Sequence, residues 1–283
     1  MRTIRLLRAV NEPGNRGPAR GQFALQRALR QVKPEWLEIG GQLQFGEIPW
    51  AWSYEDAAIV VKFAEWGFPF CVGPNFLFHS SREPGRMPHE QIVLDAPSCE
   101  LLFTESDWYA ELIQQHCLRN KAPIAIFSYP IDPQPEGPLE AKRDLLIYLK
   151  KPDFVPQIRA VQNGPWERSV IITYGCYERD AMILAARHSR ACLYLSDDDR
   201  GPLALAEIML AGCPAIGVPR GAPWIVNGVS GIKLERWERI NGAVKRAIGI
   251  NRQKVRAWAL ERFATTRSVG IVLAALEAVA KRY

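Results

Sequence analysis

Histidine is scarce in this chain: four in 283 residues, at 79, 89, 116 and 188, far apart in the sequence. The six cysteines (71, 99, 117, 176, 192 and 213) form no Cys-x-x-Cys pair and have no regular spacing. Together these absences exclude the ligand spacing of a zinc site, and no metal is expected. Several cysteines sit inside apolar runs such as Phe70-Cys-Val and Gly212-Cys-Pro. They read as buried free thiols of a cytosolic protein. No uninterrupted apolar run approaches the roughly 18–20 residues that span a bilayer. The opening MRTIRLLRAVNEPGN has an apolar run of only a strand's length and no small-residue cleavage site, so no signal peptide is expected. No internal repeat is visible. With 48% apolar and 23% charged residues, disorder, collagen-like repeats and a disulfide scaffold are also excluded. The length allows one large domain or two modest ones.

The formal charge of +6 is unevenly placed. From Lys233 to Tyr283 there are 12 Lys and Arg against 4 Glu, an excess of +8, so the first 232 residues carry −2. A basic end fits a nucleic-acid or anionic-membrane surface, or simply a solvated helix face.

Short apolar runs alternate with segments of helical spacing. Strands are expected at Ile4–Val10, Phe68–Val72, Glu100–Phe103 and Ala122–Ser128, with helices at 22–31 and 107–117. Ala58–Val61 is too short to classify. The run Tyr129-Pro-Ile-Asp-Pro-Gln-Pro-Glu-Gly-Pro138 holds four prolines and is the best linker candidate. Alternation then restarts. Strands are expected at 145–149, 169–174, 191–195 and 215–218, and helices at 155–162, 179–188 and 203–211. Nearly continuous apolar strands alternating with helices indicate parallel sheets covered on both faces. The expected fold class is α/β, with two doubly wound Rossmann-like domains facing across a cleft. The expected boundaries are 1–135, 136–265 and a final helix over 266–283 returning to the first domain.

Ligands of parallel sheets sit beyond the carboxyl ends of strands. There the sequence offers Leu195-Ser-Asp-Asp-Asp-Arg-Gly-Pro, then the helix Leu-Ala-Leu-Ala-Glu-Ile-Met-Leu210. Asp199 lies before the helix and Glu207 within it. The first amides of that helix, at Leu203, Ala204 and Leu205, lack partners inside the helix and favour a phosphate. A carboxylate on an early turn can accept from two adjacent hydroxyls, such as a ribose diol. The bland alternative is that residues 197–199 only cap the helix.

This segment resembles the donor half of the family-four retaining glycosyltransferases, whose architecture is GT-B. Their pattern is Glu-x-Phe-Gly, an apolar stretch, then Glu-Ala-Met-Ala-x-Gly-x-Pro-Val-Ile. Here it reads Asp199-Arg-Gly-Pro, Leu-Ala-Leu-Ala, then Glu207-Ile-Met-Leu-Ala-Gly-Cys-Pro-Ala-Ile216, followed by Gly221-Ala-Pro-Trp-Ile-Val-Asn-Gly-Val-Ser-Gly231. Fainter likenesses lie in Gly14-Asn-Arg-Gly-Pro-Ala-Arg-Gly21, Thr104-Glu-Ser106 and Tyr129-Pro-Ile-Asp132. The resemblance spans most of the chain and is strong only from about Ser169 to Gly231.

It implies retaining, metal-independent transfer of a hexose-like sugar from a nucleotide-diphosphate sugar, with no further cofactor. Glu207 would bind the donor ribose and Asp199 the transferred sugar. Lys150 would neutralise the leaving diphosphate, with Lys151 or Arg159 standing in for a second basic residue where this chain has Val155. Gly201 and the amides of Leu203 and Ala204 would face the diphosphate. Gly175 would let the base approach, and Arg16 and Gly17 would reach the diphosphate from the first domain. His79 is a candidate catalytic residue touching the sugar. Asn75, Trp50 and Trp52 are acceptor-side candidates, the two tryptophans on an expected loop or edge. Pro202, which has no N–H, departs from the family pattern, and Asp199 is one methylene shorter than the family's Glu.

The acceptor stays open. An anionic one, at a membrane leaflet or on a nucleic acid, would give the basic end a purpose, with the protein cytoplasmic or peripheral to a membrane. The alternatives are a DNA-directed glycosyltransferase, a basic nucleic-acid-binding protein, a sugar-nucleotide epimerase and an inactive GT-B scaffold.

Overall fold

The computed structural model describes residues 1–12, 17–76, 87–117, 119–132, 140–166 and 168–283. The chain forms two compact units: Met1–Pro130 with Thr265–Tyr283, and Ile131–Ala264. The proline-rich run 133–139 lies outside the described residues.

In the first unit the chain runs β1 (Ile4–Leu6), α1 (Gly17–Val32), β2 (Leu37–Ile39), β3 (Ile48–Ser53), α2 (Ala57–Trp66), β4 (Phe70–Asn75), α3 (Pro88–Asp95), β5 (Cys99–Thr104), α4 (Asp107–His116) and β6 (Ile124–Ile126). The six strands form one parallel sheet in the order β2-β1-β3-β4-β5-β6. Ala51, Phe70, Val72 and Leu102 pack against α2, α3 and α4 to make a core.

The second unit runs β7 (Arg143–Leu149), α5 (Val155–Gln162), β8 (Ser169–Thr173), α6 (Arg179–Arg187), β9 (Ser189–Leu195), α7 (Leu203–Leu210), β10 (Ala215–Gly217), β11 (Gly231–Lys233), α8 (Ile240–Ile248) and α9 (Arg252–Arg262). Its parallel sheet is ordered β11-β10-β9-β7-β8. Leu145, Ile147, Leu193 and Leu195, on the inner strands β7 and β9, pack with α8 in a core. The remaining helix, α10 (Thr265–Ala280), belongs to the first unit. It packs on α1, β5 and β6, and Ser268 Oγ donates to Ser128 O at 2.6 Å.

Several expectations are corrected. β1 stops at Leu6, not Val10, and α1 begins at Gly17, five residues before the expected start. Ala58–Val61 is helix, part of α2. The segment holding Trp50 and Trp52 is neither loop nor edge: it is β3, hydrogen-bonded on both sides in the middle of the sheet. Pro49 hides it from a reading by β-propensity, because proline is normally kept out of inner strands.

The apolar-run criterion also missed Arg252–Ala280. By length and composition, a window of that stretch is long and apolar enough to cross a membrane. It is two helices, α9 and α10, interrupted at Phe263-Ala264. Val255, Ala259, Val272, Leu276 and Val279 are buried within the protein.

All six cysteines are free. Cys71, Cys99, Cys192 and Cys213 are buried, Cys117 is intermediate and Cys176 exposed. Burial pushes the thiols of Cys99 and Cys213 up to about 12, so both are held as unreactive thiols.

The basic end is partly spent inside the fold. Arg252 donates through Nε to Gly212 O at 2.9 Å and through Nη2 to Arg187 O at 2.5 Å. Arg256 Nη1 donates to Leu210 O at 2.9 Å. These guanidiniums cap the carbonyl ends of α6 and α7, where cations oppose the helix dipole.

Candidate functional site

In the second unit, β7 lies between β8 and β9. The chain leaves β7 to one side and returns on the other, so the order of strands reverses there. At such a switch point the loops diverge beyond the carboxyl ends and leave a crevice. Leu149 is in register with Thr173 and Leu195. Lys150, Tyr174 and Ser196 therefore follow side by side.

Lys150 Nζ donates to Asp199 Oδ2 at 2.6 Å, and Tyr194 OH donates to the same oxygen at 3.0 Å. The ammonium also lies 4.7 Å from the ring centre of Tyr174, within cation–π range. Burial opposes its charge, but Asp199 outweighs burial and holds Lys150 above its ordinary pKa. The next pair repeats the arrangement, with Lys151 Nζ donating to Asp198 Oδ1 at 2.9 Å. Trp237 Nε1 reaches Asp197 Oδ1 at 3.4 Å. The three acids thus face three different partners. The residue capping α7 is Pro202, with no side-chain cap, so the capping alternative for residues 197–199 is overturned.

Behind this pair, Tyr148 and Tyr194 stack with ring centres 4.9 Å apart, and the Tyr148 and Tyr177 hydroxyls are 3.1 Å apart. Burial lifts both inner tyrosines above the ordinary range, so they act as neutral hydroxyls.

Every residue of α7 except Ala204 is buried, and Glu207 is its one charged side chain. Glu207 is 4% exposed. Arg179, the first residue of α6, donates through Nε to Glu207 Oε1 at 2.5 Å. Sequence reasoning missed Arg179. Its signal was a cation in the first turn of a helix, where the dipole disfavours one.

The other donor-side candidates fall as follows. Gly201 stands in the turn before α7, and Leu203 and Ala204 open that helix. Gly175 follows β8, exposed and with φ of +80°, and a side chain there would meet nothing. Arg159 and Val155 are exposed on α5, and Lys151 is engaged with Asp198. Arg16 and His79 lie outside the described residues, and Gly17 opens α1. Among the described residues, no group of three or more His, Cys, Asp or Glu is placed to hold a metal ion.

In the first unit, Trp50 and Trp52 are 0% and 1% exposed. Trp50 Nε1 donates to Gly73 O at 3.0 Å, and its ring centre lies 5.1 Å from that of Phe103. Trp52 packs on Phe127 and Tyr129. Both are core side chains, which corrects their assignment to an acceptor-lining loop. Asn75 ends β4 and is also buried. Its Nδ2 donates to Tyr129 OH at 3.1 Å, and that hydroxyl donates to Glu105 Oε1 at 3.0 Å. This network ties together the carboxyl ends of β4 and β5.

No protein-family model matches the sequence, and no curated protein matches it either. Solved structures do match. The lipopolysaccharide outer core galactosyltransferase WaaB, in its apo form, is 13% identical over 93% of this chain and 80% of its own, with a TM-score of 0.61. AviGT4, a glycosyltransferase involved in avilamycin A biosynthesis, is 13% identical over 100% and 98%, at 0.57. WaaG, a glycosyltransferase involved in lipopolysaccharide biosynthesis, is 11% identical over 98% of each chain, at 0.52. All three are GT-B glycosyltransferases.

The fold is GT-B. At 11–13% identity the likeness carries the fold and not the chemistry. In this GT-B chain the motif that begins at Asp199 lies at the switch point of the second unit, where Asp199 meets Lys150.

Proposed function

We propose that this chain is a glycosyltransferase that moves a sugar, with retention and without a metal, from a nucleotide-diphosphate sugar to a hydroxyl-bearing acceptor. The observation that carries this reading is the gathering of Lys150, Asp199 and the start of α7 at the switch point, with Glu207 on the same helix. Breaking a glycosyl–phosphate bond requires stabilisation of a departing diphosphate. Lys150 and the leading amides of α7 supply positive potential that is already oriented before the bond breaks. A cation fixed on a strand end does the work a metal would otherwise do. In this reading Glu207 accepts from the donor ribose, and Asp199 from the hydroxyls of the sugar. In this arrangement the departing phosphate takes the acceptor proton, so no strong protein base is required beside the bond. The open backbone at Gly175 suits the approach of a base. The residue roles and the stereochemistry are part of the proposal.

Arg252, Arg256 and Arg282 have partners inside the protein, so part of the basic end is spent on the fold and not on an acceptor. Thermal-shift screening against uridine, guanosine, adenosine and cytidine diphosphates and their sugar conjugates tests the reading. Stabilisation by one base, lost in Glu207→Ala, is the expected result. A shift with none of them removes the donor site, and the inactive scaffold then describes the chain better. Proton NMR of the product's anomeric centre tests retention.

A further inference from the structure

We propose that Asp199 sets the balance between loaded donor and spent nucleotide: its return to Lys150 expels the nucleoside diphosphate after transfer. This rests on the donor reading above.

The geometry is that of a site occupied by its own anion. Lys150 and Asp199 are 2.6 Å apart, with side chains 24% and 10% exposed. The Asp199 amide donates to Arg220 O at 2.8 Å, and its neighbour Asp198 is held by Lys151. Those two contacts anchor the loop, so an incoming anion competes at Lys150 with the side-chain carboxylate of Asp199. A diphosphate that approaches Lys150 must take the ammonium away from Asp199. Weakening the ion pair of a carboxylate this buried is costly.

The cost differs between the two nucleotides. A nucleotide sugar brings hydroxyls, and each can donate to the released carboxylate. A bare nucleoside diphosphate lacks the hydroxyls of that sugar and carries more negative charge on its terminal phosphate. The exchange is therefore close to balanced for the donor and uphill for the product. Once the sugar has left, Asp199 re-forms its pair with Lys150 and the diphosphate loses its cation. Tyr194 is a positioning residue here. Its neutral hydroxyl donates to Asp199 Oδ2 and restrains the carboxylate.

The test is calorimetric binding of uridine, guanosine, adenosine and cytidine diphosphates and the glucose conjugate of each, to the wild-type chain and to Asp199→Asn. The variant is expected to bind the preferred bare diphosphate at least about tenfold more tightly, since a competing charged hydrogen bond is removed. The glucose conjugate is expected to gain less, so the preference for donor over product collapses. Tyr194→Phe keeps both charges and is expected to move the same ratio in the same direction, by about two- to threefold. It carries the test alone if Asp199→Asn does not fold. If the wild type binds a bare diphosphate and neither variant binds it more tightly, Asp199 is no such competitor and the inference falls while the donor reading stands. If neither the wild type nor either variant binds any of the eight nucleotides, the donor reading falls and takes this inference with it.

Discussion

Arg179 Nε lies 2.5 Å from Oε1 of Glu207, a guanidinium on the first turn of α6 against the one carboxylate of the otherwise apolar helix α7. A carboxylate on so apolar a helix would be costly without its cation. The pair lets a carboxylate survive inside a core element.

Arg179→Leu is expected to destabilise the protein by about 2–4 kcal/mol, because it strands Glu207 in the core. Glu207→Leu should cost less, since Arg179 is 37% exposed and can turn to water. The double variant should be more stable than the sum of the two single losses implies. Urea denaturation of all four proteins measures the cycle. Additive losses would show that the two groups do not interact.

Two glycines of the motif-like stretch are explained by packing. A side-chain carbon on Gly221 would overlap the Ser196 carbonyl, and one on Gly231 would overlap that of Ala215. Gly231→Ala is therefore expected to cost more than about 2 kcal/mol, by forcing β10 and β11 apart. Gly242, inside α8, faces open space. Gly242→Ala should stabilise by about 0.5–1 kcal/mol. Thermal unfolding of the two variants gives opposite shifts if the packing is as described.

The acid response should be set in part by Arg5 and Glu47. Arg5 donates through Nε and Nη2 to the two oxygens of Glu47, at 2.5 and 2.6 Å. That bidentate pair holds Glu47 below its ordinary value of 4.5. A lowered carboxylate contributes stability above its unfolded value and loses it as pH falls through the folded one. Asp56 runs the other way. Burial raises it above 3.8 despite Arg8, so it favours the fold below that value and weakens it as pH rises through the folded one. Melting of wild type and Glu47→Gln from about pH 6 to pH 3 should give curves that converge on the acid side. A constant gap between them would rule the pair out as the cause.

Arg252 ties the ends of α6 and α7 together through backbone carbonyls. Arg252→Ala is expected to cost about 2–3 kcal/mol, and Arg252→Lys to recover little, because one ammonium cannot reach both helix ends. Chemical denaturation distinguishes the two. Full recovery by lysine would mean that charge, and not the fork, holds the corner.

The second unit was legible because its strands are apolar throughout. Leu145–Leu149 and Ala191–Leu195 can only be buried on both faces, and the motif from Asp199 to Ile216 places the turn and helix between β9 and β10. The first unit was harder to read. β1, β2 and β6 are three residues long, too short for a pattern, and Ile48–Ser53 carries a proline. Asp199 and Glu207 were singled out from residue order, and Lys150 from the family resemblance. Their partners were not, because pairing depends on register. Lys150 and Asp199 are 49 positions apart and meet only because Leu149 stands beside Leu195. Arg179 reaches Glu207 across the junction of two helices, which no spacing in the sequence records.

α10 draws its neighbours from the other end of the chain. Arg2 N donates to Ala280 O, and Ser268 reaches Ser128. During synthesis the second unit is complete before α10 has been made, while the first unit waits with the faces of α1, β5 and β6 uncovered. A chain truncated before Thr265 and released should therefore carry a finished second unit and an open, protease-sensitive first one.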